Sequence, residues 1–431
     1  MKLHVENFLK IAKADLEFKG LTVIVGDNNT GKSTVGKLLF SLFDLYSSTD
    51  EQIKVARRNF VVNGGRLPNL QALDIDALID DASLTEEGVV DILRSSPEFH
   101  RVGMPQAGQE MNHTAEAKDV WIRQLAREIY ARIVDSRKIP ARQFIMMHAL
   151  AGLGNYFYGP LIPKRHGNGG DTIIRLEIQG KAIDIKISDN SFSSKESIVL
   201  LHKGWFVGSP ALLNAVSQER VDDCAERVHI PLLKKLVENR DGDLVSAALV
   251  DERLQPVTER LNALLPGTFS QRKNYKILDF KSGEFPDGIP VESLSMGLKS
   301  FALLRLMLER GVLQDEDVLV LDEPENHLHP SWQLVYAEII VLLQKIFRLT
   351  VLLTTHSPYF LEAIRLFSAK HGTNGALTVY KPKEKDFQRN MAGEISSQVE
   401  FVGITDNMEE MHIPFASPLR DLRNLSGEFG L

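Results

Sequence analysis

The chain has 431 residues, more than one hydrophobic core ordinarily serves, so two lobes or domains are expected. Its composition, 43% hydrophobic and 25% charged, is typical of a soluble globular protein, and no apolar run reaches membrane-spanning length. The net charge of −7 disfavours nucleic-acid binding except through a local basic patch, and the single cysteine, Cys224, excludes a disulfide framework and a multi-cysteine zinc site. Because the first residues lack the apolar core of a signal peptide, the cytoplasm is the expected compartment, with no membrane partner.

The first motif is a glycine-rich loop between a predicted strand and a predicted helix. Residues 23–34 read VIVGDNNTGKST, and a helix-compatible apolar run follows at 35–43. Glycines at both ends of the loop allow backbone N–H groups to turn inward around an anion, toward which the helix also points its positive end. Lysine would reach the β- and γ-phosphates, and serine would bind Mg²⁺. The pattern predicts a nucleotide-binding P-loop formed by Gly26, Asn28, Asn29, Thr30, Gly31, Lys32, Ser33 and Thr34, rather than a plain glycine turn.

The long middle of the chain carries weaker signals. Residues 46–135 are polar and helix-prone, 172–178 and 182–187 form a predicted β-hairpin around Gly180, and 251–264 is a predicted amphipathic helix. Predicted strands at 275–280 and 289–294 lead to Ser295, an N-cap that could also present its hydroxyl to an anion. Basic clusters near residues 54–58, 164–166 and 272–276 are read as solvated faces, with nucleic-acid binding as the alternative if they share one surface.

Two acidic and histidine-containing segments follow apolar strands near the far end. The run 317–321 is suited to a strand buried on both faces, and Asp322 at its end fits a Mg²⁺ ligand. Glu323 can accept a proton from an attacking water, although an acidic loop before a helix starting near Pro330 is the plainer alternative. A helix at 332–347 and a strand at 349–355 lead to His356, which is either structural or a sensor of the γ-phosphate. Strands are predicted again at 377–380 and 398–402, before a helix-prone tail.

The four clusters GDNNTGKST, LSMG, DEPENHLHP and TTHSP, in this order, resemble the ABC-type ATPases of the SMC, RecF and OLD-like branch. The resemblance implies an α/β P-loop NTPase of ABC-ATPase type. Its mixed or parallel sheet, with flanking helices, would be built from both chain ends around a mainly helical insertion that contains a β-hairpin. The implied nucleotide-binding lobe comprises 1–60, 137–145 and 290–431, and the inserted lobe comprises 61–136 and 146–289.

The same resemblance assigns roles to individual residues. ATP would be hydrolysed with Mg²⁺ held by Ser33 and Asp322, and with Glu323 and His356 as catalytic residues. Two copies would close on ATP, with a signature segment supplied in trans by Ser295, Met296 and Gly297. Asn326 would belong to the D-loop, and Arg142 and Gln143 to a Q-loop region, unless Arg142 is a solvated surface arginine. The signature departs from the family pattern, because Met296 replaces a glycine and Leu298 a glutamine.

The implied function is that of a dimerising ATPase acting as sensor or motor for a partner. The chain resembles ATPase subunits of bacterial phage-defence systems such as Septu and PARIS, which implies a separate nuclease or toxin, since about 75 residues after His356 are too few for a Toprim nuclease domain. One alternative is a RecF-like DNA-binding repair ATPase, which a basic track across the dimer would favour. The other is a transporter nucleotide-binding subunit, which the long insertion and the HLHP and THSP segments disfavour.

Overall fold

A computed structural model describes residues 1–47, 49–63, 73–96, 115–157, 170–188, 191–196, 198, 200–218, 226–238, 252–272, 277–389 and 395–405. Its strands are β1 (Lys2–Phe8), β2 (Ile11–Glu17), β3 (Leu21–Val25), β4 (Thr172–Ile178), β5 (Lys181–Ile187), β6 (Phe192–Glu196), β7 (Gly204–Val207), β8 (Gly267–Arg272), β9 (Ile277–Ser282), β10 (Ile289–Pro290), β11 (Val318–Asp322), β12 (Thr350–Thr355), β13 (Leu377–Arg389) and β14 (Ile395–Gly403).

The helices are α1 (Lys32–Tyr46), α2 (Thr49–Asn63), α3 (Ile75–Asp80), α4 (Glu86–Ser95), α5 (Ala115–Lys138), α6 (Ala141–Tyr156), α7 (Leu212–Gln218), α8 (Ile230–Glu238), α9 (Gln255–Leu264), α10 (Met296–Glu309), α11 (Pro330–Phe347) and α12 (Pro358–Lys370). No helix within the described residues is long and apolar enough to cross a membrane.

The main sheet has eleven strands in the order β6-β5-β4-β1-β2-β14-β13-β3-β12-β11-β7. Five neighbours, from β13 to β7, run parallel to one another, whereas β1, β2, β4, β5 and β6 pair antiparallel. Every residue of β3 is buried, and so are residues 318–321 of β11, as expected for parallel strands covered on both faces. Strands β8 to β10 form a separate three-stranded sheet. The predicted fold class, an α/β P-loop NTPase with a mixed sheet, is confirmed.

The chain divides into two compact units. The sheet unit contains 1–47 and 152–431, and the helical unit contains 48–151. Helices α2 to α5 of the helical unit enclose their own core, which includes Val61, Val89, Leu93, Ile129 and Ile133. These bounds differ from the expected lobes, because strands β4 to β7, assigned to the insertion, pair into the main sheet.

One local prediction holds in the structure and another does not. The β-hairpin forms as expected, since β4 and β5 pair antiparallel across Gln179 and Gly180, both at positive φ. The predicted strand at 289–294 is wrong beyond Pro290, because Val291–Ser293 is a 3-10 turn that leads into α10. The tail after residue 405, Cys224, the basic cluster at 164–166 and residues 273–276 lie outside the described part of the chain.

Candidate nucleotide-binding site

The parallel half of the sheet brings three of the sequence motifs to one edge. Strand β3 lies between β12 and β13, and β12 pairs with β11, so the segments following β3, β11 and β12 leave the sheet side by side. The carboxyl ends of parallel strands are where such folds bind ligands. The P-loop, the DEPE segment and His356 therefore meet, although more than 300 residues separate the P-loop from His356 in the chain.

The P-loop turns sharply from β3 into α1. Gly26 has φ +155°, Asn29 +60° and Gly31 +83°, and α1 begins at Lys32, so unpaired N–H groups of its first turn face the loop. The side chain of Lys32 is only 3% exposed, and its Nζ donates to the carbonyl oxygens of Gly26 (2.8 Å) and Asp27 (2.6 Å). Burial lowers the pKa of Lys32, although the nearby carboxylates of Glu323 and Asp322 act in the opposite direction. A cation is thus held inside an anion cradle.

Ser33 and Asp322 meet although they come from opposite ends of the chain. Ser33 Oγ donates to Asp322 Oδ1 at 3.0 Å, and Thr354 Oγ1 donates to the same oxygen at 2.6 Å. Burial raises the pKa of the Asp322 carboxyl, although these two hydrogen bonds act to lower it. A hydroxyl and a carboxylate form the hard oxygen set that suits Mg²⁺, which in such sites takes further ligands from water and phosphate. Among the described residues no cluster of three or more acidic, His or Cys side chains could hold a metal alone.

Glu323 occupies a strained position beside these groups. It has φ +49°, which is uncommon for a residue with a side chain, and its N–H donates to the carbonyl (3.2 Å) and hydroxyl (3.0 Å) oxygens of Thr354. Its carboxylate accepts from Asn326 Nδ2 at 3.0 Å and lies 3.7 Å from Lys32 Nζ and 3.5 Å from His356 Nδ1. The carboxylate is therefore oriented by three neighbours, and it remains 23% exposed to solvent.

The predicted signature residues begin α10. Ser295 is the N-cap, its Oγ accepting from Leu298 N, and it is exposed. A Cβ on Gly297 would lie 3.1 Å from the carbonyl oxygen of His327 and from the ring of Trp332, so glycine permits this close approach to the segment after Glu323. Arg142 and Gln143 lie in the first turn of α6, in the helical unit, and their Q-loop role stays a prediction.

Several residues at this edge were not foreseen from the sequence. An open groove of about 700 Å³ runs beside the P-loop residues 26–30, and its other lining residues are Lys10, Lys381, Pro382, Lys383, Glu384 and Val402. Strand β7 pairs with β11 as far as Val207 and Leu321, so the segment that follows β7 leaves the sheet beside the one that carries Asp322 and Glu323. Glu325 accepts hydrogen bonds from the end of β12. Only Glu325 had a sequence signal, as the second acid of DEPE.

Two family models match the chain. Residues 1–129 match the model described as "AAA ATPase domain", and residues 201–362 match "AAA domain, putative AbiEii toxin, Type IV TA system". The first segment contains the P-loop, and the second contains Asp322, Glu323 and His356. Both matches support the predicted P-loop ATPase domain. Neither description names Septu or PARIS. No curated protein matches the chain.

Among solved structures the chain is similar to heads of SMC proteins. One is the SMC head domain from Thermotoga maritima, at 11% identity and TM-score 0.39, covering 93% of this chain and 97% of that one. Another is the SmcHead bound to the C-winged helix domain of ScpA, at 12% identity and TM-score 0.41, covering 95% and 98%. A third, derived from Pyrococcus furiosus, is the Smc head domain with an extended coiled coil bound to the C-terminal domain of ScpA, at 12% and 0.39, covering 95% and 98%. Likeness at this level assigns no function.

Proposed function

We propose that this protein binds ATP with Mg²⁺ and hydrolyses it. The observation that carries the proposal is one cluster of four side chains from two distant motifs. Ser33 Oγ lies 3.0 Å from Asp322 Oδ1, and Lys32 Nζ lies 3.7 Å from Glu323 Oε1. A glycine turn or a helix-capping acidic loop would not require a buried lysine to face the acidic pair. A nucleotide site accounts for this arrangement of lysine, serine and two carboxylates, whereas the two plainer interpretations do not.

In the proposed mechanism Lys32 exchanges its two carbonyl partners for phosphate oxygens, because charged acceptors bind an ammonium more strongly. Ser33 and Asp322 would hold Mg²⁺, which neutralises charge on the β- and γ-phosphates. Glu323 accepts the proton of a water that attacks the γ-phosphorus, as the bond to the ADP oxygen breaks. Asn326 orients the Glu323 carboxylate, and His356, 43% exposed beside it, contacts the γ-phosphate.

The groove beside the P-loop supplies room for the remainder of the nucleotide. Pro382 and Val402 offer apolar surface for a base, while Lys10, Lys381 and Lys383 bring positive charge near the phosphates and ribose. Glu384 could accept from ribose hydroxyls or an exocyclic amino group.

Two copies are proposed to close on ATP, head to head. Ser295 is exposed at the start of α10, so its hydroxyl and the free N–H groups behind it could meet the γ-phosphate of a second copy. Met296 and Gly297 would complete this contact, and Asn326 would lie near it through its bond to Glu323.

The biological role proposed is a cytoplasmic sensor or motor that controls a separate nuclease or toxin, in bacterial anti-phage defence. The toxin–antitoxin description of the model matching 201–362 supports it. The RecF-like alternative needs a basic track, but in the 54–58 cluster Lys54 pairs with Asp80 at 3.1 Å and Arg58 pairs with Asp76. Ion-paired side chains of this kind offer little net charge to a nucleic acid.

A Glu323→Gln variant tests the enzyme. We expect it to bind ATP with Mg²⁺ like the wild type but to hydrolyse it about 10²–10⁴-fold more slowly, as when a general base is lost. Hydrolysis at the wild-type rate would show that Glu323 is not the base, and a wild type that neither binds nor hydrolyses ATP would refute the proposal.

Dimerisation is tested in the same variant by light scattering with and without ATP. ATP should shift Glu323→Gln to a dimer, and adding Ser295→Arg should prevent the shift by its bulk. Ser193→Arg, at an exposed serine of edge strand β6, is the matched control and should dimerise normally. Unchanged mass with ATP would remove the closure model while leaving the ATPase assignment intact.

A further inference from the structure

The segment DEPE contains a second glutamate that is buried. Glu325 is only 2% exposed, whereas Glu323 is 23% exposed. Its Oε1 accepts from the hydroxyl of Thr355 and, at 3.1 Å, from the backbone N–H of His356. His356 Nδ1 lies 3.7 Å from the same oxygen. One carboxyl oxygen on the loop after β11 therefore joins the last residue of β12 and the histidine that follows it.

The bonds continue from this oxygen into two helices. Thr355 Oγ1 accepts from Ser357 N at 3.0 Å, and Ser357 Oγ accepts from Phe360 N, which caps α12. Ser357 Oγ also donates to Gln333 Oε1 of α11 at 2.8 Å. Glu325 is thus the acceptor at one end of a network that fixes the whole turn carrying His356.

The other carboxyl oxygen makes this arrangement costly. Glu325 Oε2 is buried and has no hydrogen-bond partner among the described residues. A buried polar atom without a partner costs about 1–3 kcal/mol, so the loop tolerates a penalty that an apolar residue at this position would not carry. Burial raises the pKa of the Glu325 carboxyl, against the hydrogen bonds from Thr355 and His356, which favours a neutral acid whose shape and acceptor oxygen a glutamine reproduces.

We propose that Glu325 is a positioning residue, which holds His356 in place for the γ-phosphate by accepting hydrogen bonds from Thr355 and from the His356 backbone. It does not itself exchange a proton with water, a role the proposed mechanism gives to Glu323. This inference rests on the proposed ATPase function. It adds a residue that acts through His356 instead of touching the substrate.

Glu325→Ala and Glu325→Gln are compared in kcat and in ATP affinity. Misplacing a catalytic group by about 1 Å costs up to about 10²-fold, so the alanine variant should lose about 10–100-fold in kcat while its Kd for ATP changes less than about threefold. The glutamine variant keeps the acceptor and should stay within about threefold of wild type. A matched control is Asp317→Asn, a buried carboxylate at the opposite end of β11 that accepts from Trp205 Nε1 and Lys203 N, and its kcat should be unchanged.

A double-mutant cycle separates positioning from direct catalysis. If Glu325 acts through His356, then in the His356→Ala background Glu325→Ala should have no further effect on kcat. Additive losses, or a glutamine variant as slow as the alanine variant, would overturn the proposal, because either result indicates that the carboxyl acts on its own. Should Glu325→Ala fail to fold, Thr355→Val removes the hydroxyl that donates to Glu325, and a kcat equal to wild type there would equally overturn it.

A readout without ATP distinguishes failure of this inference from failure of the proposed function. In protein labelled with ¹⁵N-histidine, the ring signals of His356 are assigned by their loss in His356→Ala. They should shift in Glu325→Ala and stay in place in Glu325→Gln and Asp317→Asn. Unmoved signals in Glu325→Ala refute the positioning role whether or not the protein hydrolyses ATP.

Discussion

Replacing Gly26 with alanine should damage the P-loop by two separate effects. Its φ of +155° lies in a region that essentially only glycine adopts, at a cost of about 1–3 kcal/mol for any other residue. The added Cβ would also lie 2.8 Å from both Cγ and Cδ of Pro382, closer than real Cβ contacts come. Overpacking of this kind costs a further 1–3 kcal/mol or so. We therefore expect Gly26→Ala to lower the free energy of unfolding by about 2–6 kcal/mol and ATP affinity at least about tenfold.

Two comparison variants separate strain from overlap in urea denaturation. Gly180 has φ +79°, and no atom lies within 4 Å of the position that an alanine methyl would take there, so Gly180→Ala carries strain alone and should cost about 1 kcal/mol. Adding Pro382→Ala to Gly26→Ala removes the ring atoms that the new methyl group would overlap. The double variant should therefore regain the part of the unfolding free energy lost to overpacking, about 1–3 kcal/mol. Two results would contradict this reasoning: Gly26→Ala unfolding no more easily than Gly180→Ala, or Pro382→Ala restoring no stability to Gly26→Ala. Either would mean that the close packing of Pro382 against Gly26 does not require glycine at that position.

Further predictions concern charge. Lys32→Ala should weaken ATP binding more than about 10²-fold in calorimetry, because the phosphates lose a buried cation, while Lys345→Ala on α11 should bind normally. Asp322→Ala should abolish the Mg²⁺ dependence of ATP binding, measured with and without chelator; retained dependence would move the metal to other ligands. Burial alone would raise the pKa of Glu338, but hydrogen bonds from Arg260, Lys370 and His371 lower it to about 2. Because the folded pKa lies below the unfolded value of 4.5, the stabilisation is present above about pH 4.5 and is lost as pH falls toward 2. Glu338→Gln should thus be about 1–3 kcal/mol less stable than wild type at pH 7, and the difference should shrink between pH 5 and 2; a constant difference would contradict this.

The motifs at the main edge were predictable because each is local. Consecutive residues determine a strand, the turn after it and the start of a helix. The segments VIVGDNNTGKST and VLVLDEP therefore indicate both a strand and the polar residues that follow it. Parallel strands then need only be neighbours for Ser33 to meet Asp322. The hairpin of β4 and β5 was equally clear, since Gly180 allows the positive φ its turn requires.

The rest depended on contacts that no short pattern encodes. Strand β7 has four residues, too few to show a periodicity, and only its pairing with β11 brings its end to the site edge. The predicted strand after Pro290 is wrong because residues 291–293 form a 3-10 turn. Val291 is buried in the core by this turn and not by pairing with a neighbouring strand. The sequence shows that Glu325 is an acid but not that it is buried, because its hydrogen-bond partners Thr355 and His356 lie about thirty residues away in the chain.

The place of β3 in the sheet has a consequence for synthesis of the chain. Its neighbours β12 and β13 lie far downstream; Thr22, for example, shares a side-chain hydrogen bond with Thr378, 356 residues later. A nascent chain therefore exposes the apolar strand LTVIV without either partner until β12 and β13 have left the ribosome, and sheets with such distant pairing form slowly. Residues 1–47 of the first segment that matches an ATPase model and all of the second segment, 201–362, therefore belong to the same compact unit. Expressed apart, neither fragment would complete a phosphate cradle.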